Sequence, residues 1–321
     1  MAGKIFSLFT PSEVKAQLLP TLPSDRVRVI MADTAIAIAP CIFWSTYVYS
    51  VRTLLVLLVC VGVFILSDLL CSFAFTGRIY GALDLSSLIY GALTACLLAP
   101  GADLLHCAFI ALVCSLLLRH FLTFIARSPI HPVAAAAALF SLLSYFSGEF
   151  AFTLPFSSEA GATVPDMIVG ESTHTLMWYD LLFGKVCAPL GCASALLIIA
   201  GGIYLSVRRI IDIRIPLACI VGACVAAYLL SANANPFFDV LFIGLCGQML
   251  FCAFFLCADR TYAPHRRQFS LPYGALCGAL GVFLCFKLST AAAFPLAVVI
   301  ANLAARVLDA LPLRQKPFGK L

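Results

Sequence analysis

One segment of this chain, residues 149–185, carries most of the groups that could do chemistry. It holds five carboxylates against a single lysine, and the sequence on either side of it is almost wholly apolar. At its centre, residues 160–165 read Ala-Gly-Ala-Thr-Val-Pro, a turn of small residues that presents one hydroxyl, that of Thr163. We interpret the rest of the chain as a scaffold that holds this segment, and what Thr163 carries, at one face of a membrane.

The composition excludes a water-soluble domain. Of the 321 residues, 63% are hydrophobic and 11% are charged, and the mean hydropathy is +1.05. A soluble domain has about 25% charged residues, so this chain lacks the polar side chains that a water-facing surface needs. Apolar runs recur from end to end, which predicts an all-α polytopic membrane protein. The net charge of +5 comes from basic residues at helix ends rather than in a patch, so no nucleic-acid partner is expected.

The fifteen cysteines do not indicate a metal site. No Cys-x-x-Cys pair occurs, and most thiols fall inside apolar runs, where cysteine behaves as a small hydrophobic residue. Cys187 and Cys192 lie near the 149–185 segment; we expect a structural role for them too, with a metal or redox role as the alternative. We therefore expect no metal ligands and no catalytic side chain in this chain.

Ten apolar runs are long enough to be membrane spans, with the 149–185 segment between the fifth and the sixth. Almost all lysines and arginines then fall in segments on one side; the exceptions are Arg52, Lys185 and Lys287. The positive-inside rule puts both termini in the cytoplasm and Thr163 outside. The predicted spans cover residues 27–49, 53–74, 85–100, 103–125, 132–146, 186–207, 216–230, 236–258, 271–288 and 292–308.

Ten spans divide into two sets of five with opposite orientations, which is the arrangement of an inverted repeat. The third span of each set bears glycine and has an aspartate near one end, Asp84 and Asp239. The 85–100 span is short and ends at Pro-Gly, so it is either a half-length helix or a short tilted one. The predicted divisions are a tail (1–27), a first membrane half (28–148), the Thr163 loop (149–185), a second membrane half (186–309) and a tail (310–321).

Several stretches, in the right order, resemble the RnfD/NqrB family of membrane flavoproteins. Residues 84–91 and 99–100 resemble its D-x-S-a-v-v-T-G…P segment, and residues 160–163 resemble its S-G-A-T flavin attachment motif. Further stretches similar to family motifs are 130–134, 190–196, 253–259 and 302–309. The chain departs from the family patterns at Ala160, at His131, at Cys192 and at residues 258–260, so roles tied to the family's glutamate or asparagine do not carry over.

The resemblance implies that FMN is joined covalently through its phosphate to Thr163, with riboflavin as a further candidate cofactor. A phosphoester needs an exposed hydroxyl, and Gly161 and Ala162 leave the surrounding backbone bare for a flavin transferase. Phe156 and Trp178 could form an apolar wall for the flavin ring; the alternative for these aromatics is an interfacial belt. Thr175 is the competing acceptor in the same segment.

Three carboxylates are candidates for an ion path, since carboxylates within membrane spans often mark ion routes. They are Asp68, Asp84 and Asp259, each in or at the end of an apolar run. The alternative for each is a place at the membrane interface.

The resemblance implies an electron-transfer subunit with a fold akin to urea transporters. The chain length favours the D-type subunit of an Rnf-type complex, which couples electron transfer between ferredoxin and NAD to Na⁺ or H⁺ translocation. Such a subunit is part of a translocase and is not active alone. Its partners are the Rnf subunits of types A, B, C, E and G, membrane lipid and a flavin transferase, in the bacterial cytoplasmic (inner) membrane. The alternatives are the B-type subunit of a Na⁺-translocating NADH:quinone reductase and a urea-transporter-like channel for a small solute.

Overall fold

The structure of the chain, a computed structural model, is almost entirely helical in the part that it describes. That part comprises residues 25–76, 85–116, 130–147, 152–157, 159–170, 177–231, 235–264, 266–288 and 291–310. The helices before the Thr163 segment are α1 Asp25–Tyr49, α2 Arg52–Thr76, α3 Leu85–Cys96, α4 Leu104–Val113 and α5 Pro132–Ser147.

The segment between the two sets of helices contains short elements. They are the strands β1 Phe152–Thr153 and β2 Ala160–Gly161, the helices α6 Val164–Val169 and α7 Trp178–Phe183, and a 3₁₀ turn, Leu190–Cys192. The second set of helices is α8 Ala195–Val207, α9 Arg214–Leu230, α10 Pro236–Gly244, α11 Gly247–Phe251, α12 Ser270–Leu288 and α13 Ala293–Ala310, with a π-helical turn, Cys252–Cys257, directly after α11.

Within the described residues, three helical stretches are long and apolar enough to cross a membrane. They are 28–49, 52–71 and 267–288, and the bent pair 236–244 and 247–257 makes a fourth if it is one span. Six further apolar helices are shorter, between 10 and 17 residues. A helix rises about 1.5 Å per residue, so the described part of each shorter helix is shorter than a hydrocarbon core of about 30 Å. The all-α membrane class is confirmed, while the count of ten spans and the inverted repeat stay predictions.

The sixth predicted span is wrong at its start. The sequence predicts a start at residue 186, but helix α8 begins at Ala195, and residues 186–194 are irregular apart from the 3₁₀ turn. Pro189 has no backbone N–H to donate, and Ser194 occupies the N-cap, where its hydroxyl accepts from Leu197 N at 3.5 Å. The non-helical chain before α8 therefore continues past residue 185, the predicted end of the loop, as far as Ser194.

The eighth predicted span is broken. Its two helices meet at an angle of 48° between Gly244 and Gly247. A Cβ atom at Gly247 would lie 1.9 Å from the carbonyl oxygen of Cys192, so only glycine lets the two backbones approach this closely. The break thus seats the second half of span 8 against the 3₁₀ turn.

Helices α9 and α12 pack backbone to backbone through glycines. Cβ atoms at Gly274 and Gly278 would lie 2.5 Å from the Ile215 carbonyl oxygen and 1.9 Å from the Cys219 carbonyl oxygen. These two glycines form a Gly-x-x-x-Gly pair, which is typical of close helix contacts in membranes. The contact fixes α12, whose far end supports the Thr163 segment.

Two of the basic segments, 208–213 and 258–267, meet at one end of the fold, which we call the basic end. Both Nη2 and Nε of Arg208 lie 3.0 Å from Asp33 Oδ2, which ties α8 to α1. Arg260 Nη2 donates to the carbonyl oxygen of Arg209 at 2.8 Å, which joins the 208–213 and 258–267 segments. These contacts bring together arginines that the predicted topology puts on one side of the membrane.

The acidic segment lies at the opposite end, which we call the loop end. Tyr49 OH, at the end of α1, donates to the Val186 carbonyl oxygen at 2.7 Å. Cys285 Sγ, near the end of α12, donates to the Pro165 carbonyl oxygen at 3.8 Å. The Thr163 segment therefore sits where α1 and α12 end, at the far side of the fold from Arg208, Arg209 and Arg260.

Candidate functional site

A small hairpin leads into the Ala-Gly-Ala-Thr turn. Phe152 pairs with Gly161 and Thr153 with Ala160 in an antiparallel register. A Cβ atom at Gly161 would lie 2.5 Å from Cys187 Sγ, so a larger residue here would have to push this side chain aside for the hairpin to rest on the 186–194 segment. This close contact favours glycine at position 161 through packing alone, whether or not a ligand binds.

Thr163 is the N-cap of helix α6. Its Oγ1 donates to Asp166 Oδ2 at 2.6 Å, and its backbone N donates to the same oxygen at 3.0 Å. A threonine followed three residues later by an acidic residue is the pattern of a capping box, which satisfies N–H groups at the start of a helix. Pro165 at the start of α6 fits as well, because the first helical positions need no N–H donor.

The expected exposure of the Thr163 hydroxyl is wrong in this conformation. Thr163 is only 1% exposed, and Val164 and Ile168 of α6 are buried beside it. Ala162 is exposed, so the turn reaches the surface at this residue and not at Thr163, the next one. Helix α6 packs on α10 and α12, and this packing turns the side chain of its N-cap inward.

Burial also alters the acidity of the groups around Thr163. Burial raises the pKa of the Asp166 carboxyl above its usual range, although the hydrogen bonds from Thr163 pull it down in part. The Cys187 thiol has its pKa raised to about 11, first by burial and then by the nearby Asp166 carboxylate. At neutral pH Cys187 is therefore a thiol and not a thiolate.

The two aromatic residues predicted to form the flavin wall lie in different surroundings. Phe156 is 61% exposed and its ring meets Tyr47 of α1 edge to face, with centroids 5.7 Å apart. Trp178 is 54% exposed and its ring lies 6.0 Å from that of Tyr179. Both rings are at the loop end and open to a ligand or to lipid, so the wall and the interfacial belt both stay open as interpretations.

The other predicted site residues are spread over the fold. Asp84 and the competing acceptor Thr175 lie outside the described residues. Asp68 on α2 accepts a hydrogen bond from Ser87 of α3 and so links two helices of the first set. Asp259 is at the basic end, where it lies beside His131.

Asp259 pairs with a buried histidine that the sequence marks only as a departure from the family pattern. Asp259 Oδ2 lies 3.5 Å from His131 Nε2, an ion-pair distance, and His131 is fully buried between the rings of Tyr262 and Tyr90. His131 precedes α5 and Asp259 follows the π-helical turn, so the pair joins the two sets of helices. His131, one of the positions that depart from the family pattern, thus lies at a contact between the two sets of helices.

Sequence reasoning also missed Asp166 as a partner of Thr163. The signal was available, since a Thr-x-x-Asp spacing before a helix predicts contact between the two side chains. It was passed over because the segment was interpreted as an open loop. The residues present fit a phosphate-linked flavin in their chemistry, because a hydroxyl bonded to a carboxylate can accept a phosphoryl group. A loaded Thr163 would require α6 or the hairpin to move, since its hydroxyl is enclosed.

Comparison with known proteins agrees with the resemblance seen in the motifs. The chain is 26% identical over 197 residues to the B-type subunit of the Na(+)-translocating NADH-quinone reductase of Pseudoalteromonas atlantica, covering 57% of this chain and 48% of that protein. It is 32% identical over 112 residues to the D-type subunit of the ion-translocating oxidoreductase complex of Haemophilus ducreyi, covering 35% and 32%.

A second B-type protein of the Na(+)-translocating NADH-quinone reductase, from Ectopseudomonas mendocina, is 27% identical over 183 residues, covering 50% of this chain and 45% of that protein. The chain thus spans about half the length of the curated relatives that it matches, or less.

The family match extends much further along the chain than these pairwise alignments. Residues 21–319 match the family described as NQR2, RnfD, RnfE, which includes both sets of helices and the Thr163 segment. The family predicted from the ordered motifs is therefore confirmed, and the protein belongs to the NQR2, RnfD, RnfE family.

Proposed function

We propose that this chain is the FMN-carrying, D-type membrane subunit of an Rnf-type complex, in which electron transfer between ferredoxin and NAD drives Na⁺ or H⁺ across a membrane. The observation that carries the proposal is the family match over residues 21–319, which contains Thr163 in its attachment-like turn. The 32% identity to a protein named for an ion-translocating oxidoreductase complex supports the choice of the D type.

In this proposal Thr163 is the attachment residue and its own loop supplies the surroundings. A bound flavin would supply one-electron and two-electron redox chemistry at the loop end. Gly161 lets the hairpin rest on Cys187, Ala162 brings the turn to the surface, and Phe156 and Trp178 offer exposed rings in the same 149–185 segment. The residues of this chain hold and orient the group, and riboflavin stays a further candidate without an assigned site.

The topology in the proposal is ten spans in two inverted sets, with both termini cytoplasmic and the loop end outside the inner membrane. Support comes from the meeting of two basic segments at one end and the position of the Thr163 segment at the other. The short α3 and the broken α10–α11 pair occupy the third position of each set, where inverted-repeat transporters place interrupted helices.

The chain works only with partners in this proposal. Sequence and described structure offer no cluster of metal-binding side chains, so the iron–sulfur centres and the nucleotide site belong to other subunits, which we take as types A, B, C, E and G. Asp68, Asp84 and Asp259 stay candidates for an ion path.

A second candidate function is the B-type subunit of a Na⁺-translocating NADH:quinone reductase. It is favoured by the longer alignments, 197 and 183 residues, to proteins of that name. Both candidates carry a flavin, whereas the channel alternative from the sequence does not.

Mass spectrometry of the full chain, isolated from cells that contain a flavin transferase, tests the proposal. We expect an FMN adduct on the peptide that contains Thr163 and its loss in Thr163→Val, while Thr153→Val, in the adjacent hairpin, keeps it. Proteins that co-purify with the chain distinguish Rnf from Nqr partners. An unmodified chain under these conditions would overturn the flavoprotein proposal and favour the channel, and an adduct on Thr175 would move the site.

A further inference from the structure

The hydroxyl proton of Thr163 already points at a base. Oγ1 donates to Asp166 Oδ2 at 2.6 Å, which is at the short end of the range for O–H···O bonds. The same carboxylate oxygen accepts from Thr163 N at 3.0 Å, and this second bond holds it beside the hydroxyl. Acceptor and base are thus arranged before any enzyme binds.

We propose that Asp166 is the general base for attachment of flavin at Thr163, so that the substrate loop brings its own base to the transferase. The inference rests on the proposed function, because it concerns the same hydroxyl. Asp166 then has a chemical role in addition to its structural role at the third position of helix α6.

The reaction balances with a flavin dinucleotide as donor. Thr163 Oγ1 attacks the flavin-side phosphorus, a P–O bond forms, and the bridging P–O bond of the pyrophosphate breaks. The other nucleoside monophosphate leaves, and the hydroxyl proton goes to Asp166 Oδ2; nothing is oxidised or reduced. FMN by itself has no comparable leaving group at phosphorus, so the donor must be a pyrophosphate. A carboxylate that accepts the substrate hydroxyl proton serves phosphoryl transfer in protein kinases in the same way.

The Thr163–Asp166 contact is local, whereas the contacts that bury Thr163 are not. The two residues are three apart, so their bonds depend only on the first turn of α6. The packing around the turn comes from elements distant in sequence: Cys187 lies against Gly161, Cys285 bonds to the Pro165 carbonyl oxygen, and α6 rests on α10 and α12. A loop that lifts away as a unit breaks these distant contacts and retains the local pair. This explains how a hydroxyl that is buried in the closed fold can still be modified.

In the closed fold burial raises the pKa of the Asp166 carboxyl above its usual range, which brings this base nearer to the working pH while the loop is packed. Opening of the loop removes this contribution, so the role of Asp166 rests on the geometry of the Thr163–Asp166 pair. The titratable groups on the helices packed against α6 are Tyr273, Cys277, Cys285 and Lys287 of α12 and Asp239 of α10, and Cys187 lies close to Asp166 as well.

The chain offers a matched control for the cap itself. Asp180 occupies the same third position in α7 and accepts from Met177 N at 3.3 Å, but Met177 has no hydroxyl. Asp180→Asn therefore changes the same kind of cap in the same segment without touching an acceptor hydroxyl.

The experiment measures the initial rate of covalent flavin attachment to the purified full chain, with FAD and a flavin transferase, by in-gel fluorescence and mass spectrometry. We expect Asp166→Asn to lower the rate by about 10²-fold or more, since general bases contribute about 10²–10⁴-fold. Asp166→Glu should recover most of the rate, and Asp180→Asn should match the wild type. The wild-type rate should rise with pH as Asp166 loses its proton, and Asp166→Asn should lose this dependence.

Three results would overturn the inference in distinguishable ways. Attachment of flavin to Asp166→Asn at the wild-type rate would show that Asp166 is not the base, while leaving the proposed function intact. Equal losses in Asp166→Asn and Asp180→Asn, with no recovery in Asp166→Glu, would reduce Asp166 to a structural cap. A wild-type chain that takes no flavin, or a Thr163→Val variant that takes as much, would overturn the proposed function and the inference with it.

Discussion

His131 Nε2 lies 3.5 Å from Asp259 Oδ2, and this contact joins the first set of helices to the second at the basic end. Neither ring nitrogen of His131 has a hydrogen-bond partner among the described residues, although the side chain is fully buried. Burial acts to raise the pKa of Asp259, but the interactions with His131 and with Thr261 outweigh it and hold the pKa below its usual range. Asp259 is therefore the main polar contact of this buried imidazole among the described residues.

We expect Asp259→Asn to lower the free energy of unfolding at neutral pH by about 1–3 kcal/mol. This loss is below the cost of about 3–5 kcal/mol for breaking a fully buried pair, because the Asp259 side chain is 27% exposed. A depressed carboxyl pKa stabilises the fold above the unfolded value of about 3.9, and this contribution is lost as the pH falls through the folded value. The difference from wild type should therefore shrink below about pH 4.

Thermal unfolding of the detergent-solubilised chain at pH 7 and pH 3 measures this effect. Asp103→Asn is the control, since the Asp103 side chain is 72% exposed and its pair with Arg52 spans 3.8 Å; such surface pairs contribute about 0–1 kcal/mol. Equal stability of Asp259→Asn and wild type at pH 7 would contradict the prediction.

Gly247→Ala should destabilise the chain by several degrees in melting temperature or prevent its accumulation. The added Cβ would lie 1.9 Å from the Cys192 carbonyl oxygen, and a backbone atom cannot move away as a flexible side chain would. Gly62→Ala in α2 is the matched control, because no atom lies within 4 Å of its added Cβ. In a helix interior alanine is favoured over glycine by about 1 kcal/mol, so Gly62→Ala should be neutral or stabilising. Equal melting temperatures for the two variants would contradict the close contact.

Cys187 should be unreactive toward iodoacetamide at pH 7.5 in the folded chain. Its pKa is raised to about 11 by burial and by Asp166, so the reactive thiolate forms only as the pH rises toward that value. Peptide mapping after brief labelling at pH 7.5 and after unfolding in denaturant measures the difference. Rapid labelling of Cys187 in the native chain at pH 7.5 would show that the hairpin does not stay closed on it.

The two ends of the fold should face opposite sides of the membrane. A membrane-impermeant maleimide should label Glu159→Cys in intact cells with a permeabilised outer membrane, and Gln268→Cys only after the inner membrane is opened. Both positions are exposed, and thirteen of the fifteen native cysteines are buried, so background labelling should be low. The opposite labelling pattern would invert the proposed topology and put Thr163 inside.

The sequence by itself determined the membrane class, the family and the positions of most helices. Apolar run length sufficed for this, since a chain with so few charges must bury its backbone polar groups in helices within lipid. The start of α5 at Pro132 and the span of α12 over Ser270–Leu288 agree with prediction within a residue. The predicted start of helix α8 was wrong because residues 186–194 are as apolar as a membrane span, although they do not form an α-helix.

Only the tertiary structure decided which way the key side chains face. Thr163 was expected to be exposed because small residues flank it, but its exposure depends on α6 packing against α10 and α12, which lie far along the chain. The pairing of His131 with Asp259 is likewise a contact between segments that are 128 residues apart by number (259 minus 131). Local spacing could have predicted the Thr163–Asp166 bond, since it is formed within one turn, but burial and long-range pairing are properties of the packed fold and not of any stretch of sequence.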